Sequence, residues 1–317
     1  MRNFSSYVAA ATAIFAARPA IAQDADLEII GRPIDKGIGF QPAVTELARD
    51  LQWLDAVVLV VITIITLFVI ALLAICIFRY NRKSNPEPAS FTHNSPIEVA
   101  WTVAPILILV FIAAFSLPVL FKQQEIPEAD VNIKVTGYQW YWGYEYTDHE
   151  FGFESVLVDA AYKIFDEEAG WGDDQPFDTA QVLNETAIKK LEYFGYTRDE
   201  FLLATDTAVV VPVNKTVVMQ VTAADVIHSW TIPAFGVKQD AVPGRIAQLW
   251  FNAEKEGIYF GQCSELCGKD HAYMPITVKV VSEDAYQDWL EGAIELYAGD
   301  PSTLPNRVNV ASAEQVK

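Results

Sequence analysis

Two long apolar stretches dominate the first third of the chain. Leu54 to Phe78 carries one charge, Asp55, at its start, and Val99 to Phe121 carries none. Each is long enough to cross a bilayer, which takes about 20 residues. Pro105 and Pro118 in the second stretch are better tolerated in a membrane helix than in a soluble one. A shorter apolar run, Tyr7 to Ala17, follows Arg2 and precedes the small-x-small site Ala20-Ile21-Ala22. That order reads as a secretory signal peptide over 1–22, which leaves Gln23 as the first mature residue. Residues 23–50 then form an external segment, and 51–121 a transmembrane helix hairpin (about 54–78 and 99–121).

After Lys122 the apolar period shortens to two. Residues 132–137, 208–213, 216–222, 247–252, 257–261 and 275–281 read as strands. Asn214-Lys215 reads as the tip of a hairpin joining 208–213 to 216–222. Short strands with turn residues between them indicate a sandwich or barrel. Residues 159–202 interrupt the pattern as an insertion with 11 acidic and four basic side chains. Within it, Ala180 to Phe194 has helical character, with Lys189, Lys190 and Glu192 at polar positions. Ser282 to Tyr297 predicts an amphipathic helix capped by Ser282. It closes a domain spanning 122–298, and 299–317 forms a flexible tail.

Charge then orients the chain. The 317 residues carry a net −19, yet residues 1–100 hold eight basic and nine acidic side chains, so the excess lies in the β-rich part. An acidic domain repels nucleic acid and attracts basic partners. The basic segment Arg79-Tyr80-Asn81-Arg82-Lys83 between the two spans lies on the cytoplasmic side by the positive-inside rule. Both ends of the mature chain then face outward, in agreement with the signal peptide.

The chemistry concentrates near the end. Of three cysteines, Cys76 lies in an apolar run, whereas Cys263 and Cys267 belong to Cys-x3-Cys-x3-His-x2-Met, completed by His271 and Met274. Two thiolates, an imidazole and a thioether suit copper; zinc more usually takes four strong ligands. Two thiolates can bridge two copper ions, each of which then needs an imidazole. The chain has four histidines. His93 lies in the cytoplasmic loop and His149 in a polar turn, so His228, after a strand, is the best second donor. No Cys-x-x-Cys-His occurs, so no c-type haem is attached.

At these residues the sequence resembles the cytochrome c oxidase subunit II family. Gly261-Gln262-Cys263-Ser264-Glu265-Leu266-Cys267 with His271 and Met274 is similar to its binuclear copper (CuA) loop. Val226-Ile227-His228-Ser229-Trp230 resembles the segment that supplies the other histidine. Gly137-Tyr138-Gln139-Trp140-Tyr141-Trp142 resembles its aromatic segment, and Phe91 to Glu98 with Trp101 the start of its second helix. The resemblance implies CuA ligands His228, Cys263, Glu265 through its carbonyl, Cys267, His271 and Met274. It implies magnesium at the Glu265 side chain, at the boundary with subunit I. It makes Trp140 the point where electrons arrive from cytochrome c, and Glu98 the mouth of a proton-uptake path. Glu145, Glu154, Asp206 and Asp225 become a docking face for cytochrome c.

The expected architecture is therefore a membrane-anchored all-β protein, with a two-helix hairpin followed by a cupredoxin-like Greek-key barrel. The expected partners are a basic cytochrome c, oxidase subunits I and III, and the lipid of a bacterial inner membrane. The expected function is electron transfer within an enzyme that reduces oxygen to water and pumps protons. Rival readings are the CuA component of another respiratory reductase, a membrane copper chaperone, and a quinol oxidase subunit. The helix hairpin with Glu98, the presence of Trp140 and the intact copper ligands argue against each in turn.

Overall fold

The computed structural model describes residues 27–298, apart from 88, 160, 165, 167–169 and 173–180. The signal-peptide and tail expectations lie outside these residues. Among the described residues, four α-helices and eleven strands follow in order: β1 (Ile29–Gly31), α1 (Glu46–Arg79), α2 (Ser95–Gln124), β2 (Val131–Tyr138), β3 (Tyr141–Tyr146), β4 (Phe151–Ser155) and α3 (Glu185–Tyr193). Then come β5 (Val209–Pro212), β6 (Thr216–Ala223), β7 (His228–Ile232), β8 (Val237–Ala241), β9 (Ala247–Asn252), β10 (Gly257–Gln262), β11 (Pro275–Val281) and α4 (Glu283–Tyr297).

The two long helices start earlier than their apolar stretches. Thr45 caps α1, its hydroxyl accepting from the Ala48 amide at 2.9 Å. The first turns of α1 do not meet lipid, because Leu47 and Ala48 are buried against the β-domain. The Val44 amide donates to the Ala234 carbonyl, and the Glu254 amide to the Val44 carbonyl. Gly236, in the left-handed region at φ 68°, lies under α1; a Cβ there would meet the Ala48 Cα at 2.6 Å. Asn94 caps α2, helped by the Glu98 carboxylate, which accepts from the Asn94 amide at 3.1 Å. At the other end of the hairpin, Lys122 pairs with Glu46 and Asp50, tying the domain-side ends together. The most apolar stretch of each helix has none of its residues buried. Such a surface is stable only in lipid or against another apolar protein.

The β-domain has sheets ordered β1-β10-β11-β5 and β4-β3-β2-β6-β9, with β7-β8 as a separate pair. Their inner faces share one core, centred on the fully buried Trp142, Trp230, Tyr144, Tyr146 and Phe251. Burying each such ring contributes on the order of 2–3 kcal/mol. The expected 208–222 hairpin does not form. β5 pairs in parallel with β11, β6 pairs with β2 and β9, and the turn at Asn214 carries the chain from one sheet to the other. Such sheet-switching connections are what a Greek-key barrel requires.

The insertion leaves after β4 and returns before β5. Asn184 caps α3 by accepting from the Ala187 amide. Lys190 is not at a solvated position. It is fully buried, donates to the Tyr162 carbonyl, and has its pKa lowered by burial.

Candidate metal centre

Strand β10 ends at Gln262 and β11 begins at Pro275, so the loop 263–274 is held at both stems of one antiparallel pair. The Cys263 and Cys267 sulfurs lie 3.8 Å apart, far outside the about 2.05 Å of a disulfide. The Cys267 sulfur is 3.6 Å from His271 Nδ1 and 3.5 Å from the Met274 sulfur. The Glu265 carbonyl oxygen is 3.3 Å from the Cys263 sulfur. His228, at the start of β7, brings Nδ1 to 3.9 Å from the same sulfur. His228, Cys263, Cys267 and Met274 are buried.

The orientation of the His228 ring follows from its far side. Nε2 lies 2.9 Å from the Asp225 carboxylate, which only accepts, so Nε2 carries a proton and Nδ1 is the nitrogen turned to the sulfurs. Asp225 is itself fixed by the Gln139 and Val226 amides. Burial pushes both thiols up. Hydrogen bonding, chiefly with His228, more than offsets this at Cys263, so that thiol ionises first. The negative charge on Cys263 then adds to burial in holding Cys267 protonated. A soft metal must therefore displace protons held among these donors on binding. Two sulfurs, two imidazole nitrogens, a thioether and a carbonyl, already gathered and mostly dry, fit copper.

The family model described as "Cytochrome C oxidase subunit II, periplasmic domain" matches residues 131–169 and 172–281. The one described as "Cytochrome C oxidase subunit II, transmembrane domain" matches 33–119. The chain belongs to the cytochrome c oxidase subunit II family. A "Cytochrome c oxidase subunit 2" from Cereibacter sphaeroides is 58% identical over 310 residues, 96% of this chain and 98% of that protein. A "Probable cytochrome c oxidase subunit 2" from Rickettsia bellii is 40% identical, covering 86% and 90%. The crystal structure of the periplasmic domain of subunit II of cytochrome oxidase from Bradyrhizobium japonicum is 41% identical. It covers 55% of this chain and 99% of that one, with a TM-score of 0.41. This subunit II is thus part of a haem–copper oxidase. It is a two-pass membrane protein with a cupredoxin-like periplasmic domain of the copper-binding family.

The aromatic segment of this subunit II wraps the ligand loop. Trp140, in the β2–β3 turn, donates its indole N–H to the Cys267 carbonyl at 3.2 Å, beside the Gln139 amide at 3.0 Å. Trp142 donates to the Met274 carbonyl at 3.3 Å and stands edge-on to His228. Tyr138 and Tyr141 stack at 4.8 Å. The Tyr138 hydroxyl is pushed up to about 12 by burial, and then by Tyr141, Glu145, Glu154 and Asp225. Three of the four expected docking carboxylates thus gather around this tyrosine pair. Glu145 is paired with Lys134 at 2.8 Å, and Glu154 is exposed.

Asp206 does not join them as a free surface carboxylate. It accepts from the Val156 and Thr207 amides and the Tyr162 hydroxyl, closing the neck of the insertion. Glu98 lies at the opposite end of the hairpin from the Lys122 pairs, and the Glu265 side chain is exposed. Sequence reasoning missed Asp225 as the partner of His228, although Asp-x-x-His was there to be seen. It also missed Gly137, whose lack of a side chain makes room for the His228 ring.

Proposed function

We propose that this chain is the subunit that accepts electrons from cytochrome c and passes them to the haem and copper centres of subunit I. There oxygen is reduced to water, coupled to proton pumping. The observation that carries this is the donor cluster of His228, Cys263, Cys267, His271 and Met274, with Trp140 hydrogen-bonded to its backbone. With the Glu265 carbonyl, these donors would hold two copper ions, which supply a one-electron redox couple. The chain keeps the donors buried and pre-grouped, so that little has to move when charge changes. Trp140 is the contact for cytochrome c, and Glu145, Glu154 and Asp225 draw in its basic face. The Glu265 carboxylate suits a magnesium ion at the boundary with subunit I.

The 79–83 basic loop faces the cytoplasm, and the N-terminus and β-domain face the periplasm of a bacterial inner membrane. Glu98 then stands on the cytoplasmic side as the mouth of a proton path. Subunits I and III and lipid cover the bare helix faces. Cleavage after residue 22 frees the mature chain, whose β-domain runs over 122–298 with the insertion at 159–202.

The test is Cys263→Ser in the assembled oxidase. The expected result is loss of the mixed-valence copper-pair signal. A variant that keeps the unaltered signal would overturn the assignment.

A further inference from the structure

The segment between β4 and β5, which carries the insertion, is more than an acidic surface appendage, because its return to β5 is bonded to both stems of the ligand loop. Its small core, formed by Val158, Leu191, Tyr196 and Ala204, closes over Ile258 and Phe260. Those two residues form the outward face of β10, while Tyr259 between them faces the main core. At the end of β10, the Gln262 side-chain amide donates to the Leu202 carbonyl at 2.7 Å. On β11, the Thr277 hydroxyl donates to the Leu203 carbonyl at 3.3 Å and accepts from the Thr205 amide at 3.2 Å. Gln262 immediately precedes Cys263, and Thr277 lies three residues after Met274. The same short turn, residues 202–205, therefore grips the chain just before the first sulfur ligand and just after the last.

The turn is held as well as holding. Leu202 sits in the left-handed region at φ 65°, which a non-glycine residue adopts only where its surroundings impose it. Two bonds behind it do so: the Leu203 and Ala204 amides both donate to the Glu200 carbonyl. The fully buried Glu200 carboxylate takes Arg32 at 2.9 Å from the chain just beyond β1, which itself pairs with β10. β10 is thus enclosed by β1, β11 and the insertion.

We infer that the 202–205 turn is a clasp that sets the position of the copper ligand loop, with Gln262 and Thr277 as positioning residues. This rests on the proposed reading of that loop as the copper site. Neither side chain supplies a donor. Each fixes a stem, so the Cys263 and Met274 sulfurs stay in place whatever the charge between them. The segment between β4 and β5 thereby acts on the centre from outside it, and its bonds to the loop stems do not depend on its acidity.

The test uses the assembled oxidase with Gln262→Leu, Thr277→Val and Thr277→Ser, and with Leu290→Ala in α4 as a control that loosens the domain elsewhere. The readouts are the magnetic-resonance signal of the copper pair, its potential, and the rate at which a copper(I) chelator erases that signal under reducing conditions. Gln262→Leu and Thr277→Val should each alter the signal; the first should speed copper loss about fivefold, the usual worth of one hydrogen bond, and the second, which removes two, by more. Thr277→Ser, which keeps the hydroxyl, should match the parent, and Leu290→Ala should melt earlier with an unaltered signal. If Gln262→Leu does not assemble, the contrast between Thr277→Val and Thr277→Ser decides. Parent-like signals and release rates in Gln262→Leu and Thr277→Val would overturn the clasp, as would an equal change in Leu290→Ala. A parent oxidase with no copper-pair signal would instead overturn the copper reading beneath it.

Discussion

Gly137→Ala is the most incisive single substitution, because it adds one methyl against a proposed ligand without touching any donor atom. Gly137 lies in β2 between Trp142 of β3 and Ala223 of β6. A Cβ there would stand 2.9, 3.0 and 3.1 Å from His228 Cδ2, Cγ and Cβ. Ordinary contact begins near 3.4 Å, so the methyl is about 0.3–0.5 Å too close. The ring has little room to retreat. It is fully buried, its Nε2 is tied to Asp225 at 2.9 Å, and Trp142 stands against it with centroids 5.9 Å apart. Overpacking of this kind costs about 1–3 kcal/mol. If that cost falls on the imidazole donor, copper affinity drops roughly 5- to 150-fold. The assay is copper content and the copper-pair signal of the purified oxidase. Gly39→Ala serves as the control, since nothing lies within 4 Å of its added Cβ. A Gly137→Ala oxidase with full copper and the parent signal would refute the reasoning, because the ring would then be either movable or not a ligand.

Met274→Leu keeps the buried volume and removes a weak ligand, so copper should stay while the potential shifts; complete metal loss would show that the loop geometry is misread. Glu98→Gln retains an oxygen able to accept from the Asn94 amide, so α2 should stay capped while the titratable group is lost. Steady-state oxygen reduction should then slow with copper intact, and an unchanged rate across pH would leave Glu98 as a cap only. Joint Glu145→Gln and Glu154→Gln should lower the association rate with cytochrome c several-fold at low salt and flatten its salt dependence, which sets in over about 8–10 Å. Association at the parent rate would move docking to another surface. Trp140→Phe removes the hydrogen bond to the Cys267 carbonyl, so it should slow the first electron transfer while leaving cytochrome c binding nearly intact, which rapid-mixing kinetics would separate.

Features carried by contiguous residues were legible before any fold was known. A run of some 20 apolar side chains has nowhere to go in water, whatever surrounds it. The spacing from Cys263 to Met274 places four donors on one short loop, and period-two alternation marks most of the strands. Partners distant along the chain were not legible in the same way. The alternation in 208–213 and 216–222 is satisfied equally by pairing with each other or with separate sheets, and only the assembled barrel selects β11 for one and β2 and β9 for the other. Lys190 reads as a surface charge until the Tyr162 carbonyl, 28 residues away, gives its ammonium a buried acceptor. Asp206 reads as a surface carboxylate until three donors converge on it, and Asp225 reads only as a docking charge until His228 folds back against it and gives it a second task. The chemistry of a side chain is local, so its identity declares what it can do. Whether it binds metal, orients a ligand or holds a turn depends on which distant groups enclose it, and tertiary packing alone decides that.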